Sequence, residues 1–197
     1  GFGIASAVIS GAGAWYPAHM GRTFGWGAGE IGLTLGVAIV IGGITGKLLC
    51  GHMVDAMYRR GFRDAQFRWY AACLLVATPI GILATTSDHP WVFLCGIAIF
   101  LMLLSPVAAC YAAALNLVTP NELRGTGMAF FASTAGLIGM GSGPLLIAAA
   151  SDYLYDGPAD IGLGMATVFG IACPLAALLL AFGFRAMRDA MAEAENQ

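Results

Sequence analysis

The chain has 197 residues, 59% of them hydrophobic and only 10% charged, with a net charge of −2. A soluble domain carries roughly a quarter charged residues, so this composition excludes an ordinary soluble enzyme. With Lys and Arg totalling 9, no basic stripe is present to hold nucleic acid. A mean hydropathy of +0.80 points instead to an integral membrane protein.

Long charge-free intervals give the elements in chain order. They are Gly1–Gly21, Ile31–Gly46, Trp69–Ser87, His89–Asn121, Gly125–Ser151 and Ile161–Phe184. A helix needs about 20 apolar residues to cross the hydrocarbon core, so six spans are expected. Their approximate bounds are 1–20, 29–53, 67–86, 91–118, 125–150 and 161–184, with the second span carrying Lys47. A transmembrane strand would be about 10 residues of alternating polarity, a pattern that none of the intervals has. The bundle is expected over 1–184 and a tail over 185–197, as a short polar helix or a frayed end. Gly1 and Phe2 open the chain with neither an initiator Met nor a basic leader. The sequence is therefore expected to be a segment of a longer protein.

Basic residues orient the spans. Arg59, Arg60, Arg63 and Arg68 surround the second connection, Arg124 the fourth, and Arg185 and Arg188 follow the last span. If the spans alternate, these fall on one side, while the other has Arg22 with Asp88, Asp152, Asp156 and Asp160. The asymmetry predicts a cytoplasmic C-terminus. Within the spans, Gly32 and Gly36, Gly42 and Gly46, and Gly139 and Gly143 have the small-xxx-small spacing that lets helices approach. Pro79, Pro106, Pro144 and Pro174 are expected to kink helices. The five cysteines are scattered singly and mostly inside spans, without a CxxC pair or Cys/His cluster, so they read as core residues and no metal site is expected.

The connection after the second span runs Gly51-His52-Met53-Val54-Asp55-Ala56-Met57-Tyr58-Arg59-Arg60-Gly61. It resembles the G-x-x-x-D-x-x-x-R-[RK] signature of the major facilitator superfamily, departing from it at Ala56, where that family often has a basic residue. Pro120-Asn121-Glu122-Leu123-Arg124-Gly125 resembles the family's P-x-x-x-R-G turn. The run from Gly136 to Pro144 is similar to its glycine-rich fifth helix. Trp15-Tyr16-Pro17, Arg22-Thr23-Phe24-Gly25 and Glu30-Ile31-Gly32 resemble the W-x-P…R-x-x-G…E-x-G pattern of spinster-like transporters.

The resemblance covers nearly the whole chain. It implies an all-α integral membrane fold, in which these six helices form the C-terminal half of a twelve-helix transporter, built as two inverted three-helix repeats. It also implies an N-terminal six-helix half as partner, alternating access, an amphiphilic or lipid-like substrate, proton coupling, and a place in the cell (inner) membrane among its lipids. No enzyme activity, cofactor or nucleic-acid partner is expected. Asp55 would face a helix N-terminus of the other half when the cytoplasmic side is shut, and Arg59 would pair with a nearby carboxylate. Gly51, Arg60, Pro120 and Arg124 complete the gating set.

Lys47 is the one charge well inside a span, placed either to line the cavity or to snorkel to the cytoplasmic surface. Arg22 and Glu30 are candidates for an outer charge pair. Matching positions of the family's cavity helices are Ser6 and Ser10, Ser105, Tyr111 and Asn116, and Phe130, Phe131, Ser133 and Thr134. Two rival transport readings are a six-span half-transporter acting as a homodimer and a channel. An intramembrane protease needs a Ser with a His base in reach. Ser142 has a glycine-rich setting, but His19, His52 and His89 sit at span ends or in loops.

Overall fold

A computed structural model of the chain describes residues 1–119, 121–155 and 160–195, which are helical apart from short turns and contain no strand. The first helix, α1 (Phe2–Phe24), stops at Gly25, which takes φ 68, a left-handed cap that glycine adopts at little cost. Helix α2 (Ala28–Arg59) carries Glu30 in its first turn, where the positive helix end favours an acid. It terminates around Gly61 at φ 86, with the Gly61 N–H donating to the Tyr58 carbonyl at 2.9 Å. At about 1.5 Å per residue its 32 residues span roughly 48 Å. That exceeds the hydrocarbon core of about 30 Å, so α2 projects beyond the bilayer at one end or both.

Helix α3 (Ala65–Thr85) follows a tight turn and keeps Pro79 inside it. The expected fourth span is divided into α4 (Pro90–Leu104) and α5 (Val107–Val118) at Ser105–Pro106. Pro106 has no N–H to offer the Met102 carbonyl and its ring crowds that oxygen, so the helix must bend there. The Tyr70 hydroxyl, from α3, donates to the Leu104 carbonyl at 2.8 Å beside the break. The fifth rod is α6 (Asn121–Ala135), a π-helical turn over Gly136–Ser142, and α7 (Gly143–Leu154). The glycine run thus widens the helix locally rather than only kinking it. Helix α8 (Ile161–Glu195) passes through Pro174 and continues unbroken beyond residue 184 as far as Glu195.

Among the described residues, five stretches are long and apolar enough to cross a membrane: α2, α3, Pro90–Leu117, Glu122–Leu154 and Ile161–Arg185. Helix α1 has the length, 23 residues, but Trp15, Tyr16, Pro17, His19 and Arg22 dilute its second half. Exposed Leu33, Leu48, Leu137 and Phe182 coat the outside of the bundle, as a lipid-facing surface requires.

Helix α3 lies against α8 and α4, α2 against α4, and α1 against the π turn, α7 and α8. Phe100 stacks on Phe169 at 4.7 Å, and Tyr16, Tyr70, Phe93 and Leu74 fill the same interior. Glycines set several of the close approaches. A Cβ on Gly42 would lie 2.6 Å from the Ala98 carbonyl oxygen, and one on Gly46 would collide with the Met102 carbonyl that Pro106 cannot bond. On the other side, a Cβ on Gly11 would lie 2.7 Å from the Gly143 oxygen, and Gly139 faces Ser6. Gly32 and Gly36 do not act this way: nothing lies within 4 Å of where their Cβ atoms would be. Their spacing is that of a packing stripe, but it falls on a face of α2 that no helix described here covers.

Candidate functional site

The basic residues converge on one end of the bundle. Phe67 approaches Gly183, and the Arg68 guanidinium lies 5.2 Å from the ring centres of both Phe62 and Phe184. The α2–α3 turn is therefore beside the second half of α8. At the opposite end, Gly162 abuts the Thr85 carbonyl and the ring of His19. Arg68 is held by Asp64 at 2.7 Å, the carboxylate being buried and one helical turn earlier. Tyr58 bonds Gln66 across the same turn and donates to the Arg63 carbonyl at 3.3 Å.

Between α2 and α5 at this end is a cavity of about 430 Å³. Lys47, Cys50 or Gly51, Asp55 and Tyr58 recur at three- and four-residue spacing, so one face of α2 supplies one wall. Cys110, Ala113 and Asn116 do the same from α5. Gly51 has open space where a side chain would stand, which widens the chamber. Lys47 and Asp55 are two turns apart on the same face, about 12 Å along the axis, too far to neutralise each other. Neither has an ion-pair partner among the described residues. The cavity therefore presents a cation deeper in the bundle and an anion nearer its end, both available to outside groups.

The other expected site residues divide into distinct settings. Arg59 and Arg60 are exposed at the α2 terminus. Arg124 donates to the carbonyls of Asn116 at 2.9 Å and Thr119 at 3.1 Å, closing the carbonyl end of α5 where cationic donors are favoured. Pro120 lies outside the described residues. Tyr111 stacks on Phe131 at 3.6 Å, meets the edge of Phe2, and donates to the Gly127 carbonyl at 3.2 Å. Ser6 and Thr134 turn their hydroxyls back to the carbonyls of Phe2 and Phe130 on their own helices. Ser10 is half-buried in α1, while Phe130 and Ser133 occupy the exposed face of α6. The Ser105 hydroxyl is buried at the α4–α5 break with no hydrogen-bond partner among the described residues. Thus Lys47 and Asn116 share the cavity, Tyr111 and Phe131 pack together, and the rest do not form one site in this chain. Arg22 and Glu30 are both exposed and do not pair with each other.

Asp64, Gln66 and Tyr58 brace the basic turn without having been singled out from sequence. Asp64 and Arg68 have the four-residue spacing of a helical ion pair, which is a legible signal. The approach of Cys50 and Cys110, whose sulfurs are 3.3 Å apart, joins residues 60 positions distant and has no local signal.

No family model matches the chain. Over 177 residues it is 31% identical to a protein of Mycolicibacterium smegmatis (strain ATCC 700084 / mc(2)155) named MFS-type efflux pump. The chain is similar to a membrane transporter. The match takes in 85% of this chain and 39% of that protein, so the chain spans about two-fifths of the relative's length. A multi-pass membrane protein is what this similarity and the apolar helices support together.

Proposed function

We propose that the chain is the C-terminal six-helix half of a major facilitator transporter of the spinster-like kind, exporting a small amphiphilic or lipid-like substrate by alternating access with proton coupling. The observation that carries this reading is the α2–α5 cavity, whose Lys47 and Asp55 have no ion-pair partner among the described residues. Charges at membrane depth are costly unless they meet a ligand, water or another segment. An anionic head group suits Lys47, and a helix N-terminus of the absent half suits Asp55.

Three further features support it. The first rod packs on the fifth, the second on the fourth and the third on the sixth, a pattern unchanged when the first three helices exchange with the last three. Two inverted repeats produce that exchange. The second is α1, whose length allows it to serve as the sixth span even though its outer half is less apolar. The third is the relative's name, an efflux pump, together with its greater length, which leaves room for another half. The basic end is then cytoplasmic by the positive-inside rule, and the exposed aromatic face of α6 is directed to the other half. No carboxylate stands mid-span among the described residues, so the coupling acid belongs to the missing half.

The test uses the full-length protein in liposomes with an imposed pH gradient and a fluorescent lysolipid as probe. Saturable uptake that a protonophore abolishes is the expected result. Flux that neither saturates nor responds to the gradient would overturn the proposal.

A further inference from the structure

The cavity between α2 and α5 also holds a feature that transport does not require. Cys50 and Cys110 both belong to its lining, and their sulfurs are 3.3 Å apart. They come from different helices, 60 positions apart in sequence, so no local turn forces the meeting. Each is buried in the bundle, yet a cavity of about 430 Å³ gives a small reagent a way in. Of the other three cysteines, Cys73 and Cys173 are buried in the core and Cys95 is on the outer face of α4. None of them lines this cavity.

We infer that Cys50 and Cys110 form a dithiol modification site that reacts with small-molecule disulfides of the glutathione class and closes to an internal disulfide between α2 and α5. A disulfide bond requires the two sulfurs at about 2 Å, and they already stand 3.3 Å apart. The Cys50 sulfur, as thiolate, attacks one sulfur of the small disulfide. That S–S bond breaks and its other half leaves as a thiol, taking the electron pair and the proton that Cys50 gave up. The Cys110 sulfur then attacks Cys50 in the mixed disulfide, forming the internal bond and releasing the second small thiol with the Cys110 proton. Two protein thiols are oxidised and one small disulfide is reduced to two thiols, so atoms and electrons balance.

The bond would tie the Lys47 wall of the cavity to the Asn116 wall. In a reducing compartment the pair rests as thiols and oxidises transiently, the usual behaviour of redox-sensing cysteines.

The experiment treats the full-length protein in membranes with dithiodipyridine, then digests it and reads the Cys50 and Cys110 peptides by mass. The expected product is a single cross-linked peptide pair lighter by two hydrogen atoms, free of pyridyl adduct and cleaved by reductant. In Cys110→Ala the expected product is a pyridyl adduct retained on Cys50. Separate adducts on both cysteines of the wild type, cross-links from either to Cys73 or Cys173, or two unmodified thiols would each overturn the inference. The readout is covalent mass, so it stands or fails independently of whether any substrate is transported.

Discussion

Lys47 shows how one residue's energetics reach function. An ammonium at the centre of a membrane helix costs about 2.5–3.5 kcal/mol on insertion scales. Lys47 lines a cavity with Cys50, Asp55 and Asn116 while remaining exposed, which relieves that cost without an ion-pair partner among the described residues. If it binds an anionic head group, Lys47→Gln should weaken substrate binding about tenfold, equivalent to about 1.4 kcal/mol, with expression unchanged. Lys47→Arg should keep part of the affinity, because the charge survives although its geometry changes. Titration of the purified full-length protein with a fluorescent amphiphile measures both. A loss below about threefold for Lys47→Gln would assign the side chain to snorkelling instead.

At the scale of the helix, the decisive contacts are glycines against freed carbonyls. Pro106 leaves the Met102 carbonyl without its helical donor, and Gly46 lets α2 lie directly on that oxygen. Any side chain at position 46 must push α2 and α4 apart. Gly46→Val should therefore destabilise the protein by about 1–3 kcal/mol, the usual cost of overpacking. Gly36→Ala, with open space around it, should change stability by less than about 0.5 kcal/mol. Thermal unfolding in detergent compares the two. Equal losses would mean that the Gly36 face is covered after all, by lipid or by another segment.

For the molecule as a whole, charge distribution and gating belong together. The α2–α3 turn and the second half of α8 share one end, and Arg59, Arg60, Arg63, Arg68 and Arg185 are carried there. Single cysteines introduced in a background free of native ones should be labelled from outside the cell at position 88 and spared at position 63. The reverse pattern would invert the topology. Asp55 has no ion-pair partner among the described residues, which fits an acid that meets the other half only when this end closes. Asp55→Asn should remove about 1 kcal/mol from the closed state, a shift of roughly fivefold toward the state open at the basic end. Spin-label distances between helix ends at that side measure the populations, and an unchanged distribution would leave Asp55 a topological role alone.

The sequence by itself determined that the chain enters a membrane, roughly where its helices lie, and which end is basic; it placed the end of α2 six residues early and that of α8 eleven residues early. Those properties are local: apolar length, glycine and proline stops, and the placement of arginines each act on their own stretch of chain. Even the Arg68–Asp64 pair was legible, since four-residue spacing brings its members together in any helix. What only the tertiary structure decided was partnership between helices. The same small-xxx-small spacing packs at Gly42 and Gly46 and stands open at Gly32 and Gly36, because the spacing marks a smooth face without saying what meets it. The hydroxyls of Ser6 and Thr134 were candidates for a cavity until their own helical carbonyls were seen to take them. Cys50 and Cys110 read as isolated core residues, yet the packing of α5 beside α2 leaves their sulfurs 3.3 Å apart. Contacts of that range depend on the summed geometry of several helices, and no single stretch of sequence contains it.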